Sequence, residues 1–383
     1  MKITGIKSIR LRASIPPQGR FVSRSGQRSH RSTLLVQVVT DEGITGIGSC
    51  SGNGAILEVM IERVLKPLLI GKSPCEIKEL WETSYFHSVA KELGSRGLGV
   101  VALSGVDVAL WDILGKAKGE PLFKLLGGAA RDKVSVYATA LYPEAPAEVA
   151  KKALAFAEKG FRAAKIKVGF DLARDIEIVR AVRAELGSDF TLMTDANQGY
   201  TLGVALKAAE AFAACGAAFL EEPLFVEDIK GHAALRAQGK VPIALGENLH
   251  TRFAFENFIA RGAVDILQPD VARAGGISEV VEIAGLAARH GLSVSFHTWG
   301  DAVALAASLH LAAALKNSGI MELDCTENPL RSELLTEPLE AQDGFMSPPE
   351  GAGLGIELDP KALERFAFSG AEELSPWQKA LSA

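Results

Sequence analysis

From residue 134 onward the chain repeats one pattern: a short apolar run, a polar helical stretch, then another short apolar run, with turn residues between. Eight such runs fit, at 134–141, 163–169, 190–198, 218–223, 242–248, 264–270, 292–298 and 320–324. Strand and helix in strict alternation imply parallel strands with helices outside them, and eight repeats are enough to close a barrel of the (β/α) type. Helical stretches such as DLARDIEIVRAVRAELG and ISEVVEIAGLAARHG each end at a glycine suited to the left-handed C-cap. Before residue 130 the order is different. MKITGIKSIRLRA and STLLVQVVTD alternate like strands, the turn DEG at 41–43 precedes ITGIGSC, and helices follow, an α+β arrangement. After 325 the chain turns irregular and glycine-rich, as in DGFMSPPEGAGLGIELDP. The expected organisation is α/β: an α+β capping unit at 1–130, a barrel at 131–325, and a segment at 326–383 that packs back on the capping unit.

In such a barrel the site lies at the C-terminal ends of the strands. There the sequence places Lys165 and Lys167, Asp195 and Asn197, Glu221 and Glu222, Glu247 and Asn248, Gln268 and Asp270, and His297. Asp195, Glu221 and Glu247 are 26 residues apart each time, one repeat, so they occupy equivalent positions on consecutive strands. Three converging carboxylates repel unless a cation sits among them, and an all-oxygen donor set suits Mg²⁺ over zinc. Adjacent residues face opposite sides of a strand, so only one acid of the LEEP doublet faces the site. The phase selects Glu221, and Glu222 is expected to point outward toward the wall or the next loop. Lys165 and Lys167, two apart, face the same way. Their mutual repulsion and lost hydration predict a lowered pKa and a general base. Asp270 lies one repeat before His297 and is placed to hold one imidazole nitrogen while the other transfers protons.

A net charge of −5 gives no footprint for nucleic acid or an anionic membrane, which leaves a small molecule as the expected partner. Cys50, Cys75, Cys215 and Cys325 are widely separated, which suits a reducing cytoplasm. The first residues alternate like a strand and lack a signal-type apolar core, and no uninterrupted apolar run reaches membrane-spanning length. RAGG at 273–276 is a candidate phosphate loop without a second anion-binding element. GSRGLG at 94–99 follows no clear strand and is a weak dinucleotide signal.

The motifs KIKVG, TDANQGY, LEEP, GEN, QPD and FHT, with ALSGVDVALWDILGKAKGEPLFKLLGG at 102–128, resemble as a set the mandelate racemase and muconate lactonizing branch of the enolase superfamily, over nearly the whole chain. The resemblance implies a (β/α)7β modified TIM barrel capped by an α+β domain, one Mg²⁺ on Asp195, Glu221 and Glu247, and abstraction of the proton α to a carboxylate. It implies Lys167 as the base on one face with Lys165 supporting it, His297 with Asp270 on the other, and Asn197 at the substrate. A further acid after the eighth strand assists the enediolate in that family; Glu327 is the expected residue, with Glu322 and Asp324 as neighbours. Self-association is expected by analogy with other capped barrels.

Specificity in that family resembles a lid problem. The loop at 16–32, PPQGRFVSRSGQRSHRS, carries Arg20, Arg24, Arg28, His30 and Arg31; arginines there suit an anionic or hydroxyl-rich far end of the substrate, with Arg20 and Arg24 as the expected contacts. The expected reaction is dehydration of a sugar acid or aldarate. Racemisation or epimerisation, and cycloisomerisation of an aldaric lactone, use the same groups.

Overall fold

The computed structural model describes residues 1–23 and 26–370. Three strands, β1 (Ile3–Ser14), β4 (His30–Thr40) and β5 (Thr45–Cys50), form an antiparallel sheet in the order β1-β4-β5, with Ile9 opposite Leu35 and Val36 opposite Gly48. Between β1 and β4 a small hairpin of β2 (Phe21–Ser23) and β3 (Gly26–Arg28) stands apart from that sheet. Helix Leu98–Lys118 lies across β5 at backbone contact. A Cβ on Gly48 would sit 2.0 Å from the Gly105 carbonyl oxygen, and one on Gly105 2.4 Å from Cys50 Sγ. This helix has no polar face because nearly all of it is core. Among the described residues it alone is long and apolar enough to cross a membrane, yet 83% of that apolar window is buried inside the protein.

The eight strands expected from the sequence are all present: β6 (Val134–Leu141), β7 (Ala163–Lys167), β8 (Thr191–Asp195), β9 (Ala217–Glu221), β10 (Ile243–Leu245), β11 (Ile266–Leu267), β12 (Ser293–Val294) and β13 (Met321–Asp324). They run parallel in the order β12-β11-β10-β9-β8-β7-β6-β13. Closure between the two ends is short: Val294 N–H donates to the Asn317 carbonyl at 2.9 Å, Gly319 N–H to that of Val294 at 2.7 Å, Glu322 N–H to that of Phe296 at 3.2 Å, and Ser295 Oγ to that of Ile320 at 2.6 Å. The strands end earlier than the apolar runs do because the chain then leaves the ladder in left-handed turns, with φ of 39° at Asn197, 63° at Gln198 and 37° at Glu222. Inside the barrel Tyr137, Ala163, Met193, Phe219 and Ala244 form an apolar plug. Period-two alternation then places Lys165, Asp195 and Glu221 above the plug, and Lys167 above Lys165.

The C-terminal segment returns to the first sheet. Strand β14 (Phe345–Met346) pairs antiparallel with the start of β6, Leu11 bridges Ala367, Phe368 N–H donates to the Arg10 carbonyl at 3.0 Å, and Leu354 N–H to Asp112 Oδ1 at 2.9 Å. On these contacts we propose the division 1–130, 131–325 and 326–383.

The RAGG stretch has a docking role in this structure. Gly275 and Gly276 have φ of 119° and 86°, and a Cβ on Gly276 would meet Asp107 Oδ2 at 2.4 Å. Asp107, from the long helix, fills the N-terminus of helix Gly276–Arg289, accepting from Ser278 N at 2.9 Å and Ser278 Oγ at 2.6 Å. Trp81 Nε1 donates to the Gly275 carbonyl at 2.7 Å beside it. The place that this helix end offers an anion is thus filled by a carboxyl group of the chain itself. Burial pushes the Asp107 carboxyl up to about 7, against the donors of Ser278. The folded state therefore holds this proton more tightly than the unfolded chain. The contribution to stability is complete below the unfolded value of 3.8 and is lost as pH rises through 7. Urea unfolding of the parent should weaken between pH 5 and 8 by more than that of Asp107→Asn, with the difference reaching about 1–3 kcal/mol; parallel pH profiles for the two proteins would remove Asp107 as the cause.

Candidate active site at the mouth of the barrel

Asp195 and Glu221 close β8 and β9 and are direct partners in the ladder; Glu247 follows β10 by two residues. One carboxylate oxygen of each lies within 4.8 Å of the others. Beneath them Lys165 is completely buried, with its Nζ 2.7 Å from Glu221, 2.9 Å from Glu322 and 3.4 Å from Asp195. Lys167, one layer up, pairs with Asp195 and donates to Asn197 Oδ1 at 3.1 Å. Gln268 Nε2 donates to Glu221 Oε2 at 2.8 Å, and Glu221 Oε1 is buried without a hydrogen-bond partner.

These neighbours set the titration. Burial lowers the Lys165 pKa, but Glu221 and Glu322 carry it well above the ordinary lysine value; Lys167 is likewise raised, chiefly by Asp195 against its own burial. The lowered lysine pKa expected from the sequence is not what the structure shows, because the carboxylates outweigh both desolvation and the mutual repulsion of the ammonium groups. Glu221 is pushed up to about 8 by burial and by Asp195, while Asp195 is held below its usual range by Lys167 and Lys165 in spite of burial.

Across the barrel His297 Nδ1 lies 2.7 Å from Asp270 Oδ2, and Nε2 lies 3.2 Å from Glu247 and 3.7 Å from Glu322. Burial opposes its charged form, but Glu247, Glu322 and Asp270 together raise its pKa to about 10. Lys167, Asn197, Glu247, Asp270 and His297 all line one cavity of about 610 Å³.

Other expected residues are placed differently. Glu327 is exposed and packs near Gly19, outside the cavity wall, because the chain turns outward as Asp324 Oδ1 accepts from Thr326 N at 3.0 Å. The acid that joins the cluster after the eighth strand is Glu322. It accepts from Thr139 Oγ1 at 2.8 Å and Thr298 N at 3.0 Å, and Lys165 and His297 hold it below its ordinary range despite burial. Two-residue alternation within IMELD was the signal that could have found it. Arg20 is exposed and donates to the Ile15 carbonyl at 3.3 Å, outside the cavity wall, since the turn Pro17–Gly19 carries it away; Arg24 lies outside the described residues. From the same loop Arg28, His30 and Arg31 reach the wall.

Glu222 is not directed away from the site. Its left-handed backbone breaks the strand alternation and buries the carboxylate, which accepts from Asn248 Nδ2 at 2.9 Å on both oxygens and from Gln198 Nε2 at 3.3 Å. It too lines the cavity, and burial with Glu247 nearby raises its pKa well above normal. Sequence reasoning also missed Tyr142, Thr298 and Trp299, wall residues with no charge to mark them.

The profile of the mandelate racemase / muconate lactonizing enzyme N-terminal domain matches residues 10–127, and that of the enolase C-terminal domain-like family matches residues 148–362. The chain belongs to the mandelate racemase / muconate lactonizing enzyme family. Among curated relatives of this family member, D-galactarolactone cycloisomerase of Agrobacterium fabrum is 38% identical, over 96% of this chain and 99% of its own length. Arabinonate dehydratase of Saccharolobus solfataricus is 34% identical, over 87% and 90%. Among solved structures, a racemase from Streptomyces coelicolor A3(2) with bound magnesium superposes with a TM-score of 0.87 at 30% identity, covering 96% of this chain and all of that one.

Within this family member Lys165 has no access to water, so its removal strands buried carboxylates. Lys165→Ala should lower unfolding stability in urea by about 3–5 kcal/mol. Lys167→Ala, whose side chain is 13% exposed, should cost less than half as much; equal losses would show that burial is not what makes Lys165 structural.

Proposed function

We propose that this protein is a Mg²⁺-dependent enzyme that removes the proton α to the carboxylate of a sugar acid and then expels water from the neighbouring carbon. The observation that carries this reading is that Lys167 and His297 line one cavity, each paired with a member of the acid triad, Lys167 with Asp195 and His297 with Glu247. The donor set fits the ion. It is all oxygen, includes the orphaned Glu221 Oε1, and belongs to a cluster in which five carboxylates (Asp195, Glu221, Glu247, Asp270, Glu322) face two lysines and one imidazolium, a formal excess of two negative charges. Bound by those three residues, Mg²⁺ would supply positive charge for the enediolate oxygens and draw off the carboxylate that keeps Lys167 protonated.

Lys167 Nζ then takes the α-proton on one face, and the fixed charge of Lys165 beneath it favours the neutral form needed for that step. His297, its Nδ1 held by Asp270, delivers a proton from Nε2 on the other face to the departing hydroxyl. Glu322, in place of Glu327, lies beside both Lys165 and His297 and, ionised, holds both in their charged forms; Asn197 orients Lys167 and contacts substrate. Such carbon acids are very weak, so concentrated positive charge at the oxyanion, rather than base strength, makes the step feasible. A second reading, cycloisomerisation of an aldaric lactone, expels a ring carboxylate with the same groups and is favoured by the cycloisomerase relative matched over nearly its whole length. A cytoplasmic enzyme suits four unpaired cysteines.

With Mg²⁺, sugar acids and their lactones should yield 2-keto products, or exchange the α-proton in D₂O. Lys167→Ala and His297→Asn should each lower kcat by about 10²–10⁴-fold. Glu221→Gln should weaken Mg²⁺ binding, followed by calorimetry, more than Glu222→Gln does. Full turnover in Lys167→Ala removes the base assignment, and exchange without keto product or ring opening replaces elimination by racemisation.

A further inference from the structure

Asp195 and Glu221 take their directions from the sheet: they end β8 and β9 and pair with each other in register. Glu247 does not. Strand β10 stops at Leu245, and a Cβ on Gly246 would lie 2.5 Å from the Gln268 carbonyl carbon, so the chain leaves the ladder pressed against the next loop before Glu247 is reached. The direction of this acid is therefore set by side-chain bonds. A carboxylate that swings freely binds a cation less tightly than one held in place by its neighbours.

Those bonds come from the residues that follow the triad. Gln198, Glu222 and Asn248 follow Asp195, Glu221 and Glu247 by three, one and one residues. Glu222 is 2% exposed and accepts from both amides: Asn248 Nδ2 lies 2.9 Å from each of its oxygens, and Gln198 Nε2 lies 3.3 Å from Oε2. Gln198 is anchored in turn, its Oε1 accepting from Val226 N–H at 2.9 Å and its own N–H donating to the Glu222 carbonyl at 2.7 Å. Asn248 is held at its other end, where Oδ1 accepts from Arg273 Nη2 at 3.1 Å. The φ of 37° at Glu222 brings its carboxylate into this position; an extended backbone would turn it to the far side of the strand.

Together these partners decide which way the Asn248 amide faces. A carboxylate only accepts and a guanidinium only donates, so Nδ2 is drawn to Glu222 and Oδ1 to Arg273. The same Nδ2 then lies 3.3 Å from Glu247 Oε1, while Glu247 Oε2 lies 3.2 Å from His297 Nε2. With the amide reversed, its oxygen would face two carboxylates. Glu222 and Arg273 thus act on Glu247 through a single amide.

We propose that Glu222, Asn248 and Arg273 are positioning residues of the metal centre: Glu222 and Arg273 orient Asn248, and Asn248 holds Glu247 ready for the cation. This inference rests on the Mg²⁺ reading above. Position and charge make opposite forecasts at Arg273. Removing a positive charge beside the acids strengthens Mg²⁺ binding if charge alone matters, whereas losing the amide's orientation weakens it.

The test is the Mg²⁺ affinity of the full chain without substrate, followed by calorimetry, with urea unfolding of the metal-free proteins beside it. Asn248→Ala should weaken binding by about 10- to 100-fold, and Arg273→Met by about 3- to 10-fold in spite of the lost positive charge. Glu222→Ala should match Asn248→Ala, and the two together should lose little more than either alone, since both break one line of contact. Arg273→Met decides the matter if Glu222→Ala does not fold. Tighter binding in Arg273→Met overturns the positioning role and leaves charge alone. Full affinity in Asn248→Ala with a loss in Glu222→Ala overturns it as well and makes Glu222 a ligand in its own right. Lower urea stability with the parent's Mg²⁺ affinity in all three variants overturns it and leaves a purely structural network. A parent that binds no Mg²⁺ overturns the metal reading, and the positioning role with it.

Discussion

A lysine without access to water, gripped by acids from three different strands, is the constraint on which the rest of the site depends. Lys165 contacts Asp195 of β8, Glu221 of β9 and Glu322 of β13. A buried charge is tolerated only when paired and hydrogen-bonded, and here each acid is itself held by another group: Glu221 by Gln268, Glu322 by Thr139 and the backbone of residue 298. The ammonium thereby ties β7 to β8, β9 and β13 at one depth, across the interior of the half of the sheet that is already laddered.

Much of this was legible in the chain because two periodicities coincide. The strand–helix repeat gives the barrel, and the 26-residue spacing of Asp195, Glu221 and Glu247 brings three acids to one depth. Alternation placed Lys165 and Lys167 on the same side, and the neighbouring-strand argument brought Asp270 to His297. The failures have a common cause: alternation holds only while the backbone stays extended. Glu222 has a φ of 37° and leaves the strand pattern at the very residue whose direction was being inferred. Glu327 lies beyond the turn made by Asp324 and Thr326, where strand phase no longer applies, while Glu322, still within the strand, obeys it.

The lysine pKa went the other way because the sequence reveals the two like charges but not how many carboxylates surround them. The lid loop was the least legible part. Arginines on a glycine-rich hairpin carry no periodicity, and which of them turn inward is decided by the seating of Phe21 on Tyr142 and Trp299, a contact between segments far apart in the chain. The RAGG glycines illustrate the same limit. Their spacing offers a phosphate loop at a helix end, but that end is filled by the carboxyl group of Asp107, contributed from some 170 residues earlier.

The two halves of the barrel are built unequally. Strands β6 to β9 and β13 are four to eight residues long and joined by ladders of three to five residue pairs, whereas β10, β11 and β12 have three, two and two residues. The long-laddered half carries Lys165, Lys167, Asp195, Glu221 and Glu322; the short-stranded half carries Glu247, Asp270 and His297. Under the proposed roles, proton removal is mounted on the more extensively laddered side and proton return on the side with fewer backbone restraints. A scaffold divided in this way can hold its first chemical step constant while the fate of the intermediate is altered by modest changes on one side alone.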